Sequence, residues 1–507
     1  MKTLKMLIPV RLTLCLLLSF AVVPSAADDE AEPDYQFREI STAEELLSLS
    51  DDDNYDGNFI LTADIALTGE YAVSPIEFFE GCLDGNGHKI TGYKGNAALI
   101  DTLGNGGLIK NLVIEDATVT APSMVAMLVQ TNVGTLWNLT FRNINVTVET
   151  TDAAGVCYEN MEKGRIEHID FEGVVTGNGD RAAGIVIHQR KGAVLRYCIS
   201  RGTVQSNFHV GGISSQLEDG AEIESCLNFA TVIAKNSRAG GISATNQKNS
   251  KIINCGNYGE VRAWRNGDAQ NSDAKVAGIG ANETSGFEFR NCFNAGRLVT
   301  KKTSVFIGGI CSYSNMTGDD FAAAFVNCYT VSGTMNRYTD EAYLTTEPID
   351  DAGLSAKATS CTIVTAEEFG SQAMIEKLGD GFVLTEDPAA PIGLAADTTP
   401  EPMPRVPEPK PTETEPESKP EPTPTTAPDT DEEKPSDTEP QTTAPAKEEK
   451  GCASVLGFSS IMMIAAAGVL VGAFRKKEDC PPPDVKTTIR SDFSCGWLEC
   501  CCFYSIN

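Results

Sequence analysis

Residues 251–261 read KIINCGNYGEV, and variants of this stretch recur eight more times along the chain of 507 residues. Each copy shares a frame of four residues in which two spacers separate an apolar residue from a small apolar one, as in Ile252 to Cys255. The last residues of the nine frames are Cys82, Leu112, Leu139, Ile169, Cys198, Cys226, Cys255, Cys292 and Cys328. Successive frames lie 27 to 37 residues apart, a period typical of repeat architectures.

The residues that follow the cysteine alternate with a period of two. Cys255, Asn257 and Gly259 fall on one face, which is the pattern of a β-strand. Ile252 lies three positions before Cys255, so a straight strand cannot place both side chains on the same face. A bend between these two residues is therefore predicted.

In each unit, a small residue followed by an aliphatic one recurs after the strand that follows the frame and the next corner. These pairs are Ala126-Met127, Gly155-Val156, Gly184-Ile185, Gly212-Ile213, Gly241-Ile242, Gly278-Ile279 and Gly309-Ile310. Each unit thus holds at least two short strands, and no helical period interrupts them. The pattern predicts an all-β fold in which residues 58–345 form a parallel β-helix of about nine or more coils, stacked about 4.8 Å apart.

Residues 240–261, GGISATNQKNSKIINCGNYGEV, resemble the GLUG-type repeat of β-helical surface proteins from Gram-positive, often anaerobic, bacteria. The resemblance extends over residues 35–394 and is strongest in the five cysteine-bearing coils from Cys198 onward. It implies an exported, right-handed parallel β-helix of the pectin-lyase-like type. It supplies no catalytic residues.

The segments before the β-helix indicate export and a cap. Residues 1–27 combine a basic start, an apolar run over 12–23 and small residues at 25 and 27, as in a secretory signal peptide. Residues 28–57 are predicted to be an acidic segment followed by a short helix, because Ser41 and Glu44 stand at capping-box spacing. This helix is expected to cover the first coil, whose strand edges would otherwise be open.

The segments after the β-helix predict a second cap and a tether. Residues 346–396 are expected to shield the C-terminal end, with Thr365 and Glu368 as a capping box that opens a helical element over 369–378. Residues 397–450 are almost wholly Pro, Glu, Thr, Asp, Lys and Ser and predict a disordered linker. Residues 453–474 are uncharged and long enough for one transmembrane helix.

The charges around that helix predict the topology. Arg475, Lys476 and Lys477 follow it directly, so residues 475–507 are predicted to be a cysteine-rich cytoplasmic tail and the N-terminal domain to be extracellular. No LPxTG-like motif precedes the helix, so the sequence does not support covalent attachment to the cell wall. The pattern gives no function for the cysteines of the tail.

Charge and cysteine usage exclude some function classes. The formal net charge of −30 disfavours nucleic acid as a partner. Cysteine alternates with Leu and Ile in the frame, which favours a small buried hydrophobe over a disulfide or a metal ligand. His168, His188 and His209 occupy different phases of their coils and are expected on different walls, so no metal site is predicted.

Other polar motifs are predicted to be structural. Residues 84–88, Asp-Gly-Asn-Gly-His, suggest calcium ligands or a catalytic pair but fit a tight corner better, so no cofactor is predicted and calcium lacks support. Asparagines recur one position before the cysteine and two positions after it. Such stacked residues predict amide ladders along the rod. These residues are Asn254, Asn291 and Asn327 before the cysteine, and Asn228, Asn257 and Asn294 after it.

Two coils carry insertions, and insertions of repeat proteins often bind ligands. The first insertion offers an aromatic face beside charged groups, as glycan sites do, and the second adds a tyrosine and two carboxylates. The candidate ligand-binding residues are Arg262, Trp264, Arg265, Asp268 and Asp273 in the first insertion and Tyr313, Asp319 and Asp320 in the second.

Two functions are consistent with this organisation. The first is a non-catalytic, membrane-tethered bacterial cell-surface protein for adhesion, with glycans or host or neighbouring-cell surface proteins as partners. The alternative is a surface-anchored polysaccharide lyase or glycoside hydrolase, which would need two carboxylates facing each other. The outward acids are scattered and do not recur in phase, so the first function is favoured and no catalytic residue is predicted. These acids are Glu115, Asp170, Asp180, Glu218, Asp219 and Glu222.

Overall fold

A computed structural model describes residues 35–264, 274–300, 306–314, 316, 318–339, 346–349 and 361–405. These residues form an all-β parallel β-solenoid of about nine turns with little helix, as the period predicts. Each turn contributes strands to three walls, which we call the first, second and third wall in the order in which the chain passes through them. Side chains that point inward from all three walls fill one continuous core.

The first wall is a sheet of 27 strands, most of them paired in parallel with the coils on either side. Its strands are Arg38–Ile40, Asn58–Leu61, Ile65–Ala66, Glu70–Tyr71, Cys82–Asp84, Lys89–Thr91, Lys94–Gly95, Leu108–Glu115, Thr118–Ala121, Thr135–Val148, Arg165–Gly177, Val194–Arg196, Ile199–Ser206, Glu222–Glu224, Leu227–Asn228, Thr231–Ala234, Lys251–Ile253, Gly256–Asn257, Val261–Ala263, Glu288–Arg290, Phe293–Asn294, Leu298–Thr300, Phe325–Val326, Tyr329–Val331, Met335–Tyr338, Thr346–Pro348 and Thr362–Val364.

The second and third walls have seven strands each. The second wall consists of Val125–Ala126, Ala153–Ala154, Arg181–Ala183, His209–Gly211, Arg238–Gly240, Lys275–Ala277 and Ile307–Gly308. The third wall consists of Ile76–Phe79, Ile100–Leu103, Val129–Asn132, Cys157–Asn160, Val186–Gln189, Ser214–Leu217 and Ser243–Asn246. The remaining elements are the antiparallel pair Phe382–Leu384 and Ile392–Leu394, the helices Ala43–Leu47, Gly318–Ala323, Ala366–Phe369 and Gln372–Leu378, and the 3-10 turn Ser48–Ser50.

The predicted bend lies at the residue before the cysteine. Asn254 has φ of 52°, in the left-handed region, and this turn lets Ile252 and Cys255 both point into the core. Asparagine tolerates that conformation better than most residues do, which explains why it recurs here. Seven other coils have a positive φ at the same corner, at Asn111, Asn138, His168, Tyr197, Ser225, Asn291 and Asn327.

The predicted interior column of Cys, Leu and Ile is present from Leu112, in the second frame, onward. Leu139 pairs with Ile169, and the amide of Cys198 donates to Cys226 Sγ at 3.4 Å. Eight of the nine cysteines in the described part of the chain are buried. Cysteine therefore serves here as a small core residue, as the sequence predicts.

The frame is wrong at its first member. Cys82 pairs with Leu108 rather than with Leu112, and it packs with Leu108 and Trp137 in a small cluster outside the main core. The reason is the corner at Gly87, where extra residues lengthen the connection between two strands of that coil. Leu83, one position later, is the residue aligned with Ile109.

Both predicted amide ladders exist. In the buried ladder, Asn228 Nδ2 donates to Asn257 Oδ1 at 2.8 Å, and Asn257 Nδ2 donates to Asn294 Oδ1 at 2.8 Å. In the outer ladder, Asn291 Nδ2 donates to Asn254 Oδ1 at 2.9 Å. The glycine of the recurring Gly-Ile pair packs against the buried ladder, since a Cβ at Gly241 would lie 2.5 Å from Asn257 Cγ.

The N-terminal helix is capped one residue later than predicted. Thr42, not Ser41, is the N-cap, and Glu45, not Glu44, completes the capping box. Ser41 instead precedes the helix, and its amide donates to the Glu45 carboxylate. Leu46 in this helix is fully buried in the main core, so the helix covers the first coils as expected.

The segment expected to shield the C-terminal end packs on the flank of the rod instead. Thr365 and Glu368 form the predicted capping box, but the helical element is divided into Ala366–Phe369 and Gln372–Leu378. Both helices, with the pair of strands that follows, bury apolar side chains against outward-facing residues of the first wall such as Leu227 and Phe293. These outward positions are hydrophobic, and covering them removes apolar area from water.

The chain then runs back along the first wall. We call residues 397–405 the strap, because they run from the middle coils back to the first ones. The start of the strap contacts His168 and Arg196, and its end contacts Lys110 and Asn58. The first nine residues of the predicted linker are thus packed on the rod. The rest of the predicted linker, residues 406–450, lies outside the described residues, as do the predicted signal peptide 1–27, the predicted span 453–474 and the predicted tail 475–507. Within the described residues, no helix is both long and apolar enough to cross a membrane.

Candidate functional site

The first predicted insertion leaves the rod between the first and second walls. Arg262 lies on the outer face of Val261–Ala263 and pairs with Glu260. The Trp264 ring meets the Tyr338 ring edge-on, with centroids 6.1 Å apart. Arg265, Asp268 and Asp273 lie outside the described residues. Of the candidates in this insertion, the structure therefore describes Arg262 and Trp264.

The second predicted insertion leaves between the third and first walls, so the two insertions depart from different corners. Tyr313 continues the third wall. Lys275 of the second wall has its Nζ atom 3.7 Å from the centroid of the Tyr313 ring. Asp319 and Asp320 are exposed in the first turn of Gly318–Ala323. The described residues therefore do not bring the candidates of the two insertions together in one site.

The histidines and the acidic corner are placed as predicted. His168 lies on the first wall, His209 on the second and His188 on the third. The described residues contain no group of three or more His, Cys, Asp or Glu side chains arranged for a metal ion. Residues 84–88 form a tight corner in which Asp84 Oδ1 accepts a hydrogen bond from the amide of Asn86 at 2.9 Å.

A cleft of about 370 Å³ opens on the outer face of the first wall. We call it the flank cleft and define it by Arg165, Arg196, Glu222 and Glu224. These residues belong to the opening strands of three successive coils, which are paired in parallel so that their outward side chains stack. The short turns at Gly192 and Gly220 form its other side.

A buried carboxylate fixes the two arginines of the flank cleft. Glu167 has a fully buried side chain, with one oxygen 2.7 Å from Arg165 Nε and the other bonded to Arg196 Nε. Charge-assisted bonds of this kind hold the guanidinium groups in defined orientations. Arg165 is 40% exposed and Arg196 19% exposed, so both keep donors facing the cleft.

Glu222 and Glu224 supply the acceptors. They alternate along one strand, so both side chains point outward from the same face. Burial, and then the negative charge of Glu222, raises the pKa of Glu224. Two guanidinium groups and two carboxylates in one cleft can donate and accept hydrogen bonds with a polar, hydroxyl-bearing ligand.

The strap forms the edge of the flank cleft. Arg196 Nη2 donates to Thr399 Oγ1 at 3.2 Å, and Asp397 Oδ2 lies 2.9 Å from His168 Nε2 one coil earlier. The ring of His168 in turn stacks on that of Tyr197, with centroids 5.1 Å apart. The cleft therefore lies between the strap and the turns of the later coils.

The sequence contains a signal for this cleft, which is the recurrence of charged residues of both signs in phase. Glu167, Arg196 and Glu224 occupy equivalent positions in three successive coils, two residues after the opening of each strand. Acids alone do not recur there, because an arginine takes the middle position, and this is why Glu222 and its neighbours look scattered in the sequence.

The fold and cleft define a class of protein, a parallel β-solenoid with a polar cleft on its flank. No protein-family profile matches the chain, so the GLUG-type resemblance stays a prediction. Among curated proteins, the chain is 40% identical over 70 residues to halomucin of Haloquadratum walsbyi. That match covers 13% of this chain and 1% of halomucin.

Two solved structures are similar in architecture. One is a putative immunoglobulin A1 protease from Bacteroides ovatus, 17% identical with a TM-score of 0.38, over 71% of this chain and 93% of that one. The other is an IgA1 protease, 12% identical with a TM-score of 0.39, over 71% of this chain and 25% of that one.

Proposed function

We propose that this protein is a bacterial cell-surface β-solenoid that binds glycans in the flank cleft without cleaving them. The observation that carries the proposal is the pairing of two oriented arginines with two carboxylates in one open cleft. The signal peptide 1–27 and the span 453–474 are part of the proposal, as the means by which the rod reaches the surface and is held there. Adhesion to glycans of a host or a neighbouring cell is then its role.

The chemistry of the cleft favours a neutral glycan. Glu167 pairs with both Arg165 and Arg196, and together with Glu222 and Glu224 it offsets their charge, so the cleft offers donors without a net positive charge. Glu222 and Glu224 would repel acidic sugars but accept hydrogen bonds from hydroxyl groups. Sugar hydroxyls both donate and accept, and therefore satisfy both kinds of group.

A specific observation supports glycoside hydrolysis as a second candidate. Retaining and inverting hydrolases need a carboxylic acid that holds its proton and a carboxylate that does not. Burial and the charge of Glu222 raise the pKa of Glu224, which is the direction that the first requirement asks for. In that reaction Glu224 would be the general acid and Glu222 the base or nucleophile.

One experiment tests both candidates. The full chain is applied to an array of neutral glycans. The bound glycans are then recovered, and their masses are measured by mass spectrometry. Glycan binding predicts retention without shorter products, and hydrolysis predicts shortened oligosaccharides. The variant Glu222→Gln/Glu224→Gln is expected to lose roughly tenfold in affinity, because neutral amides accept weaker hydrogen bonds than carboxylates do.

The matched control is Glu39→Gln/Glu70→Gln, which makes the same charge change at two exposed positions on the first coils, away from the cleft. The control should bind like the unmodified chain. Equal affinity of the cleft variant and the control would contradict the proposed site. Product formation that disappears in the cleft variant would favour the hydrolase.

A further inference from the structure

Lys110 differs from the other lysines of the first wall because its side chain is almost wholly buried. It lies on the outer face of the strand Leu108–Glu115, yet its side chain is 8% exposed. In-register pairing places Asp84 on the coil before it and Trp137 on the coil after it. The amine of Lys110 is therefore held among neighbours that leave water little access to it.

Two carboxylates contact this amine. Lys110 Nζ lies 3.3 Å from Asp84 Oδ2 and 2.6 Å from Glu401 Oε1, which belongs to the strap. We call Lys110, Asp84 and Glu401 the lysine triad. Burial opposes the charge of Lys110, but the contacts with Glu401 and Asp84 outweigh burial and raise the pKa of Lys110. The amine is therefore an ammonium ion before any reaction of the triad.

The carboxyl group of Asp84 presents its two oxygens to different partners. Oδ2 faces Lys110, whereas Oδ1 accepts hydrogen bonds from the Asn86 amide at 2.9 Å and from Asn111 Nδ2 at 3.3 Å. Two donors on one oxygen stabilise the negative charge that develops there when a nucleophile adds to the carboxyl carbon. The triad thus combines an amine, an oriented carboxyl group and a second carboxylate that can carry protons.

We propose that Lys110 and Asp84 join in an intramolecular isopeptide bond, with Glu401 as the proton carrier. Glu401 transfers two protons in turn from Nζ to Oδ2, and the neutral amine adds to Asp84 Cγ. The Nζ–Cγ bond forms while Oδ1 carries the negative charge, and the Cγ–Oδ2 bond then breaks. Oδ2 leaves as water, so an ammonium and a carboxylate give an amide and one water without oxidation or reduction. This modification does not depend on the function proposed for the flank cleft.

An exposed pair on the same coils shows why Lys110 is selected. Lys89 Nζ lies 2.8 Å from Glu115 Oε2, but these two side chains are 42% and 34% exposed. Water solvates both charges there, so the ion pair is the favoured state. Around Lys110 burial disfavours separate charges, and a neutral amide removes that cost. Burial, the donors to Asp84 Oδ1 and the third carboxylate together distinguish the triad from this pair.

The bond joins neighbouring coils near the N-terminal end of the rod. Asp84 and Lys110 lie opposite each other on the parallel strands Cys82–Asp84 and Leu108–Glu115. The end coils of a repeat protein have a neighbour on one side and open more readily than the central ones. A covalent link between the two side chains prevents these coils from separating.

Mass spectrometry of a tryptic digest of the full chain tests the bond. Trypsin does not cleave after a lysine whose Nζ is acylated, so residues 39–89 and 95–142 are expected as one linked species. Its mass should be lower by one water than the sum of the two fragments. Separate fragments 39–89, 95–110 and 111–142 in place of the linked species would overturn the proposal.

Three variants assign the roles within the triad. Lys110→Arg keeps the positive charge but removes the amine nucleophile, so the linked species should be absent. Glu401→Gln keeps both reacting groups but removes the proton carrier, and it should lower the linked fraction by about tenfold or more. Asp84→Asn should still give a linked species of the same mass, because Nδ2 then leaves as ammonia in place of water.

The matched control for Glu401→Gln is Glu376→Gln, which makes the same change at an exposed position before the strap. It should give the same linked fraction as the unmodified chain, and thermal unfolding shows that each variant is folded. Equal linked fractions in Glu401→Gln and Glu376→Gln would contradict the role of Glu401. A linked species that persists in Lys110→Arg would rule out Lys110 as the nucleophile.

Discussion

A single interior carboxyl group, that of Glu283, is expected to make the stability of the rod depend on pH. Its side chain is fully buried, Asn246 Nδ2 donates to Oε1 at 2.6 Å, and no described residue forms a hydrogen bond with Oε2. Burial raises the pKa of Glu283 to about 8 in the folded chain. The folded protein therefore holds this proton at pH values where the unfolded chain has lost it.

The sign of the pH dependence follows from the raised pKa. The contribution of Glu283 to stability is complete below about pH 4.5, the ordinary pKa, and is lost as pH rises to about 8. The unmodified chain should therefore lose on the order of 2–4 kcal/mol of its free energy of unfolding between pH 4.5 and pH 8 through Glu283. We expect this loss to be absent in Glu283→Gln, whose side chain does not ionise. Chemical denaturation of both proteins at several pH values measures this difference.

The exposed Glu162 provides the control for this prediction. Glu162→Gln makes the same change in composition, and its unfolding free energy should follow the pH dependence of the unmodified chain. Parallel curves for Glu283→Gln and Glu162→Gln would show that Glu283 ionises normally in the folded protein.

At the scale of elements, the ladders join strands that are too short to be stable alone. The strand Gly256–Asn257 has two residues, and Asn257 bonds through its side chain to the coils on both sides. Asn257→Ala would leave the Asn228 amide and the Asn294 oxygen without this partner in the interior. We expect a loss of about 2–4 kcal/mol in the free energy of unfolding, measured by denaturant titration.

The outer ladder supplies the comparison. Asn291→Gly removes two ladder bonds, to Asn254 and from Asn327, at a partly exposed position but keeps the left-handed φ, which glycine adopts freely. Water can replace the lost bonds there, so the cost should be below about 1 kcal/mol. A similar loss in both variants would mean that the buried ladder does not contribute more than the outer one.

These elements also show what the sequence could predict. The period revealed the coils, the bend at Asn254 and both ladders, because each depends on residues that recur at fixed spacing. The register of Cys82 was wrong because the corner at Gly87 adds residues that break the period. The N-cap was placed at Ser41 rather than Thr42 because two hydroxyl residues precede two glutamates, and either pair fits the capping-box spacing.

The candidate site was less predictable, since it depends on neighbours that belong to different coils. Glu167 and Arg196 are ordinary charged residues in the sequence and become a buried ion pair only when their coils stack. The covering of the first wall by the C-terminal helices and the strap depends on outward apolar residues such as Phe293. Their positions within the repeat do not reveal which segment covers them.

At the scale of the whole molecule, the strap connects coils that are far apart in the solenoid. In a repeat protein each coil contacts its immediate neighbours, so separate parts of the rod can open independently. The strap adds an ion pair from Glu401 to Lys110 at 2.6 Å and a contact of 2.9 Å between Asp397 Oδ2 and His168 Nε2. The last described residue, Arg405, therefore lies beside the first coils, and its carbonyl oxygen accepts a hydrogen bond from Asn58.

We expect weakening of these two polar contacts to release the strap while the coils remain folded. Asp397→Asn/Glu401→Gln should increase the rate of tryptic cleavage after Arg405 by about fivefold or more, because cleavage requires the strap to detach from the wall. Mass spectrometry of the fragments measures cleavage at this bond. Glu376→Gln/Asp380→Asn, at two exposed positions before the strap, should leave the rate unchanged. Equal cleavage rates in the two variants would mean that the strap is held by its backbone and apolar contacts rather than by its charges.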